Sequence, residues 1–172
     1  MAIGIRAKLL AGSLGLILLT VGAVRVYLSH VIERDRLAQA HEGLAVRLAL
    51  VEATLQRHRH ESGDIRAMDA LADDLGRRSR ARVTLLGPDG RVWGDSDVPA
   101  AGVAALGAHG DRPEVREALA DGSGDDRRPS ATTSHEMIYA AQSVRGDDGE
   151  PWVVARVALP TTEVQEALAG LQ

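Results

Sequence analysis

His58, His60 and Glu61 are a close group of side chains that could ligate a metal. Zinc needs ligands that converge, usually four of them. Two positions apart on a helix, His58 and His60 point to different sides, so they read as solvated helix residues, and His135 with Glu136 reads the same way at the start of a strand. Asp95, Asp97, Asp121, Asp125 and Asp126 form one set of acidic loop residues, and Asp147, Asp148 and Glu150 form another. Hard cations take oxygen ligands, but this spacing matches no calcium loop, and these read as charged turns. Ser123, Ser130, Ser134, Ser143 and the six histidines define no nucleophile–base pair. Neither a G-x-S-x-G elbow nor a P-loop occurs. Without Cys there is no thiolate or disulfide chemistry. No catalytic residue, metal site or cofactor is expected within these 172 residues.

The elements that would position any other site begin at a membrane. Residues 9–24, LLAGSLGLILLTVGAV, carry no charge and lie between Lys8 and Arg25. With Val26, Tyr27 and Leu28 the stretch 9–28 reaches the ~20 residues that a spanning helix needs. Arg25 lies near its end, where a long side chain can reach the headgroups. Arg6 and Lys8 precede the run and Glu33 and Asp35 follow it. Basic residues stay on the cytoplasmic side, so residues 30–172 are expected outside. A secretory signal cleaved after Ala23 is the alternative. Apolar character continuing into Val24, Val26, Tyr27 and Leu28 favours the uncleaved anchor.

The outer part is large enough for one domain with its own core. Its core must come from Ala, Leu and Val, because aromatic residues are 2 % of the chain and Phe is absent. Residues 30–172 hold seventeen basic and twenty-four acidic side chains. An acidic balance argues against nucleic acid and against electrostatic adhesion to anionic lipid.

Leu37, His41, Leu44, Leu48, Val51, Leu55 and His58 alternate spacings of four and three. This heptad seam predicts a long helix over 29–61, packed either on the chain's own sheet or on the same helix of a second subunit. Asp64 caps a second helix, 65–78. Period two then predicts strands at 82–86 and 91–94 joined by Gly87-Pro88-Asp89-Gly90, followed by a loop-like 95–111. Asp111 and Glu114 form a capping box for a helix over 112–121, ended by Gly122. A turn at 122–126 leads to strands at 127–133, 136–144 and 152–159. Thr162 and Gln165 open a last amphipathic helix. The expected fold is α+β: an N-terminal transmembrane helix, a long juxtamembrane helix and a five-stranded antiparallel sheet flanked by helices.

RVTLLGPDGRVWGDSD (82–97), DRPEVREAL (111–119), HEMIYAAQSV (135–144) and WVVARVALPTTEVQEAL (152–168), in this order, resemble the extracytoplasmic PAS-like sensor domains of bacterial receptors. These are the single Cache or PDC-type domains, here resembling those of phosphate-regulon-type histidine kinases. The resemblance covers 30–172. It implies a cytoplasmic N-terminus (1–8), a transmembrane helix (9–28), a helical stalk (29–79), a PAS/Cache-like sheet domain (80–160) and a truncated C-terminal signalling helix (161–172). The implied location is the bacterial inner membrane, with 30–172 periplasmic. The implied function is the input domain of a histidine kinase, working as a homodimer that passes its signal by helix displacement. A standalone anchored binding or adaptor protein is the alternative. Small ligands of such domains sit between the sheet and the helix-loop segment before the last three strands. Carried to this chain, that region holds Arg112, Arg127, Arg128, Thr132, Tyr139 and Arg156. Guanidinium forks suit carboxylate or phosphate, so the expected ligand is a small organic anion, with a periplasmic protein as the other candidate partner. The implied dimer or stalk residues are Leu37, Leu44, Leu48, Val51 and Leu55.

Overall fold

The computed structural model describes residues 5–58, 64–129 and 136–160, with the side chains of 6–12 and 31–41 outside that description. Helix α1 runs Ile5–Arg57. The chain divides into two compact units, residues 1–38 and 39–172. In the first unit, Ser13–His30 is long and apolar enough to cross a membrane, and its side chains are exposed.

In the second unit, Leu44, Leu48, Val51 and Leu55 of α1 are buried. They share a core with Met68, Leu71, Ala72 and Leu75 of α2 (Ile65–Ser79). Of the two fates open to the heptad seam, these four side chains take the chain's own sheet; Leu37's side chain lies outside the described residues. Asp64 caps α2 by accepting from the Arg66 N–H at 2.9 Å.

The sheet comprises β1 (Arg82–Leu86), β2 (Val92–Asp95), β3 (Ser123–Pro129), β4 (Glu136–Arg145) and β5 (Pro151–Pro160), in the order β2-β1-β5-β4-β3. All pairings are antiparallel. Strand alternation sends Val83, Leu85, Ile138, Val153, Ala155 and Val157 to the face that α1 and α2 cover. Gly94 permits the approach of α2: a Cβ there would lie 2.6 Å from the Asp69 Cα. The opposite face is covered by α3 (Ala100–Val103) and α4 (Pro113–Asp121), around Leu86, Val92, Val103, Val115, Ala118, Ala141 and Val154.

The structure corrects several expectations. Third-strand pairing starts at Ser123 rather than 127. Gly122, at φ 96°, ends α4, and the next residue already pairs with Gln142. The Gly/Asp composition of 122–126 looks like a turn, but ladder bonds to β4 extend it. The predicted strand residues 131–133 lie outside the described residues, as do Thr132, Ser130, Ser134, His135, the end of the first long helix beyond His58, and the last helix. The loop 95–111 contains the single turn α3. The capping box at Asp111 does not form: Arg112 is the N-cap and makes no side-chain cap bond. The acidic loop at 147–150 agrees with expectation: it is a hairpin turn, with Gly149 at φ 81° and Asp148 accepting from the Glu150 N–H at 3.1 Å.

Candidate functional site

On the sheet face covered by α3 and α4, the registers line up two rows of residues. One runs Asp95–Thr84–Arg156–Ala141–Gly124 across all five strands. The next runs Arg82–Ala158–Tyr139–Asp126. The middle of a buried face therefore carries four charged side chains, a tyrosine and a threonine among apolar neighbours. Arg128 follows Asp126 by two residues and lies on the same face of β3.

Helix α4 supplies the group on which these converge. Gly124 and Ala141 leave room for it to sit close: a Cβ on Gly124 would lie 2.5 Å from the Glu114 carbonyl oxygen and 2.5 Å from the Glu117 Cβ. From this position Glu114, 0 % exposed, points at the strands. Arg128 grips it bidentately, Nη1 donating to Oε2 at 2.7 Å and Nη2 to Oε1 at 2.9 Å. Arg156 Nε donates to Oε1 at 2.7 Å. Asp126 is a second acceptor for Arg128. Both guanidiniums stack on the Tyr139 ring, Arg128 at 4.0 Å and Arg156 at 4.4 Å from its centroid. Such stacking is favourable and holds the planar groups in place.

Burial disfavours the Glu114 charge, but the Arg128 hydrogen bonds and the Arg156 charge outweigh it and hold the carboxyl below its ordinary range. Burial pushes Arg156 below its usual value despite the pull of Glu114. The Arg128 guanidinium is raised, chiefly by its bond to Glu114. All three groups are ionised at neutral pH, and with Asp126 the cluster is balanced: two guanidiniums against two carboxylates.

A second carboxylate stands in the first row. Asp95 is fully buried and accepts from Arg82 Nε at 3.0 Å, from Thr84 Oγ1 at 2.8 Å and from the Asp97 N–H at 3.0 Å. Its own N–H donates to Asp69 at 3.3 Å. The loop that crosses this region is pinned by the His109 N–H donating to the Gly90 carbonyl at 2.8 Å. His109 Nδ1 is buried and meets no hydrogen-bond partner among the described residues. Burial, then the charges of Arg156 and Arg112, lower the His109 pKa and favour the neutral ring.

Of the residues that the resemblance singled out, the structure brings together Arg128, Tyr139 and Arg156. Arg127, adjacent in β3 to Arg128, faces the other side of the sheet and pairs with Glu136 in solvent. Arg112 is exposed at the start of α4. Sequence reasoning missed Glu114, Asp126 and His109. His58 is occupied on α1, its Nδ1 2.9 Å from the Thr54 carbonyl oxygen. Among the described residues no cluster of three or more His, Asp or Glu side chains could hold a metal ion.

No protein-family model matches the chain, and no curated protein matches it. Solved structures do. The sensor domain of E. coli DcuS is similar at TM-score 0.57 and 14 % identity, over 74 % of this chain and 96 % of that domain. The sensor domain of the V. cholerae histidine kinase DctB is similar at TM-score 0.52 and 14 % identity, over 70 % of this chain. Here the chain spans 45 % of the DctB domain, less than half its length. At this identity the likeness concerns the fold: the second unit is built as these bacterial sensor domains are built.

Proposed function

We propose that this chain is the extracytoplasmic input domain of a membrane-bound signalling receptor whose output is a histidine kinase. The observation that carries the reading is helix α1: it includes both the apolar stretch Ser13–His30 and the residues Leu44–Leu55 in the core of a sensor-domain fold. DctB, one of the similar structures, is named as a histidine kinase. The phosphate-regulon kinship draws no support from DcuS or DctB.

The recognition site in this reading is the cluster of Arg128, Tyr139 and Arg156 under α4; Arg112 and Arg127 leave it. An organic anion remains the proposed ligand class, because two stacked guanidiniums match a carboxylate. The signal would be a small displacement of α4 and the sheet passed to the membrane through α1, of the kind that packed interfaces hold in two states.

We also propose a homodimer, through a face of α1 that the core does not use. Ala45, Val46, Ala49, Leu50 and Ala53 form an exposed apolar stripe, with Val46 67 % and Leu50 47 % exposed. A second copy would be held in the same bilayer by the same N-terminal segment. The stripe carries no charge that would repel its own copy.

The test is the complete reading frame that encodes the chain, together with reporter fusions after Pro160. A second span and a kinase core beyond residue 172, with alkaline phosphatase active at Pro160, is the expected result. A frame without a kinase core would favour the standalone adaptor, and a cytoplasmic reporter would overturn the topology.

A further inference from the structure

We infer that Glu114 is a tethered carboxylate ligand: it fills, from within the chain, the guanidinium site of Arg128 and Arg156 over Tyr139, and so closes that site to simple monocarboxylates. This rests on the reading of that cluster as the recognition site.

The geometry is that of a bound ligand rather than of ordinary packing. Both carboxylate oxygens are taken, three donors reach them at 2.7–2.9 Å, and no part of the residue is exposed. Beside this cluster the layer between sheet and helix is apolar, with Leu86, Val115, Ala118, Ala141 and Val154 packed together. Packing alone would be served as well or better by another apolar residue, because buried ion clusters seldom stabilise more than a hydrophobic replacement. The two guanidiniums are also held without Glu114. Tyr139 stacks against both, and Arg128 keeps Asp126. A site so organised in advance would survive removal of the carboxylate that occupies it.

Charge and mass action explain the refusal. The cluster is neutral with Glu114 in place, so a further anion would lie unpaired in a buried setting. It must instead displace Glu114, which competes at the high effective concentration of a tethered group. A free carboxylate of the same chemistry has no advantage with which to win.

Shortening Glu114 to Ala removes the Cγ and the carboxyl group, which are the heavy atoms of one acetate ion. The test therefore compares the full wild-type chain with Glu114→Ala in detergent micelles at neutral pH. Melting is followed in sodium acetate and in sodium chloride of equal ionic strength. The wild type is expected to melt alike in both salts. Glu114→Ala should melt lower in chloride and recover saturably in acetate, by about 4 °C at roughly ten times the dissociation constant. Glu114→Ala combined with Arg156→Ala should lose the recovery. Glu114→Gln, which leaves no space, should melt lower than wild type and ignore acetate.

Two results would overturn the inference. If acetate stabilised the wild type as much as Glu114→Ala, the fork would be open to external anions; the anion-sensor reading would stand and the tethered ligand would not. If acetate and chloride acted alike on Glu114→Ala, the three charges would be structural only and the recognition site itself would fall. Should Glu114→Ala fail to fold in chloride, refolding yield in acetate against chloride decides between the same outcomes.

Discussion

Replacing Gly124 by Ala should loosen α4 from the sheet without touching a charged group. The added Cβ would lie 2.5 Å from the Glu114 carbonyl oxygen, 2.5 Å from the Glu117 Cβ and 3.1 Å from the Ala118 nitrogen. Ordinary contacts of this kind fall at ~3.5–4.0 Å, so α4 must retreat by roughly 1 Å. Two of the three obstacles are backbone atoms and cannot swing aside. Overpacking of this sort costs about 1–3 kcal/mol. The lost freedom of the unfolded chain offsets about 0.4–1 kcal/mol of it. A net destabilisation of about 1–2 kcal/mol should lower the melting temperature by roughly 4–8 °C for a unit of this size. The same retreat stretches the 2.7 Å bond from Arg156 to Glu114 beyond hydrogen-bonding range. Gly124→Ala and Glu114→Gln should therefore overlap: the double variant loses less than the sum, by about 1 kcal/mol or more. Denaturant and thermal unfolding of the full chain in micelles measures both quantities. Melting within about 1 °C of wild type, or strict additivity with Glu114→Gln, would refute the close seating of α4 as the device that places Glu114.

The acid limb of stability offers a second test. Arg128, Arg156, Asp126 and Tyr139 gather at Glu114, and His109 acts on Arg156; the Glu114 pKa is held below its ordinary 4.5. A depressed carboxylate contributes stability that is present above its unfolded pKa and is lost as pH falls through the folded one. The wild-type advantage over Glu114→Gln should thus be constant at neutral pH and shrink below about 4.5; an advantage unchanged down to acid unfolding rejects this. Leu48→Asp places an unpaired charge in the core of α1, α2 and the sheet and should cost several kcal/mol, so a variant that melts like wild type would remove α1 from that core. Leu50→Glu, on the exposed stripe, should leave the melting temperature nearly unchanged while sedimentation shows dimers lost; dimers that persist would exclude this stripe as the interface.

Period and composition carried much of the fold. The 4-3-4 spacing of Leu44, Leu48, Val51 and Leu55 requires a helix with one apolar side wherever that side goes. Period two marked β1 and β2; β5, buried on both faces, reads instead as a nearly continuous apolar run broken by Arg156. The same alternation, applied to β3, would have separated Arg127 from Arg128, which cannot share a face. It was obscured because Gly122–Asp126 has the composition of a turn, and only the ladder with β4 makes it a strand.

The centre of the site was far less legible. Glu114 stands three residues after Asp111, where a capping box also places an acid, and local sequence does not distinguish a carboxylate bonding its own helix from one aimed at a sheet. Its partners lie 14 and 42 residues away. What decides between the two roles is the approach of α4 over Gly124 and Ala141, a distance between elements that no neighbouring residue records. The sequence by itself determined which side chains could be apolar, most of the helix and strand segments and where a membrane span could lie, since those follow from periodicity along one element. Only the tertiary structure decided which charges meet, because pairing across a sheet depends on strand register and helix seating, and these are set by the packing of the whole core.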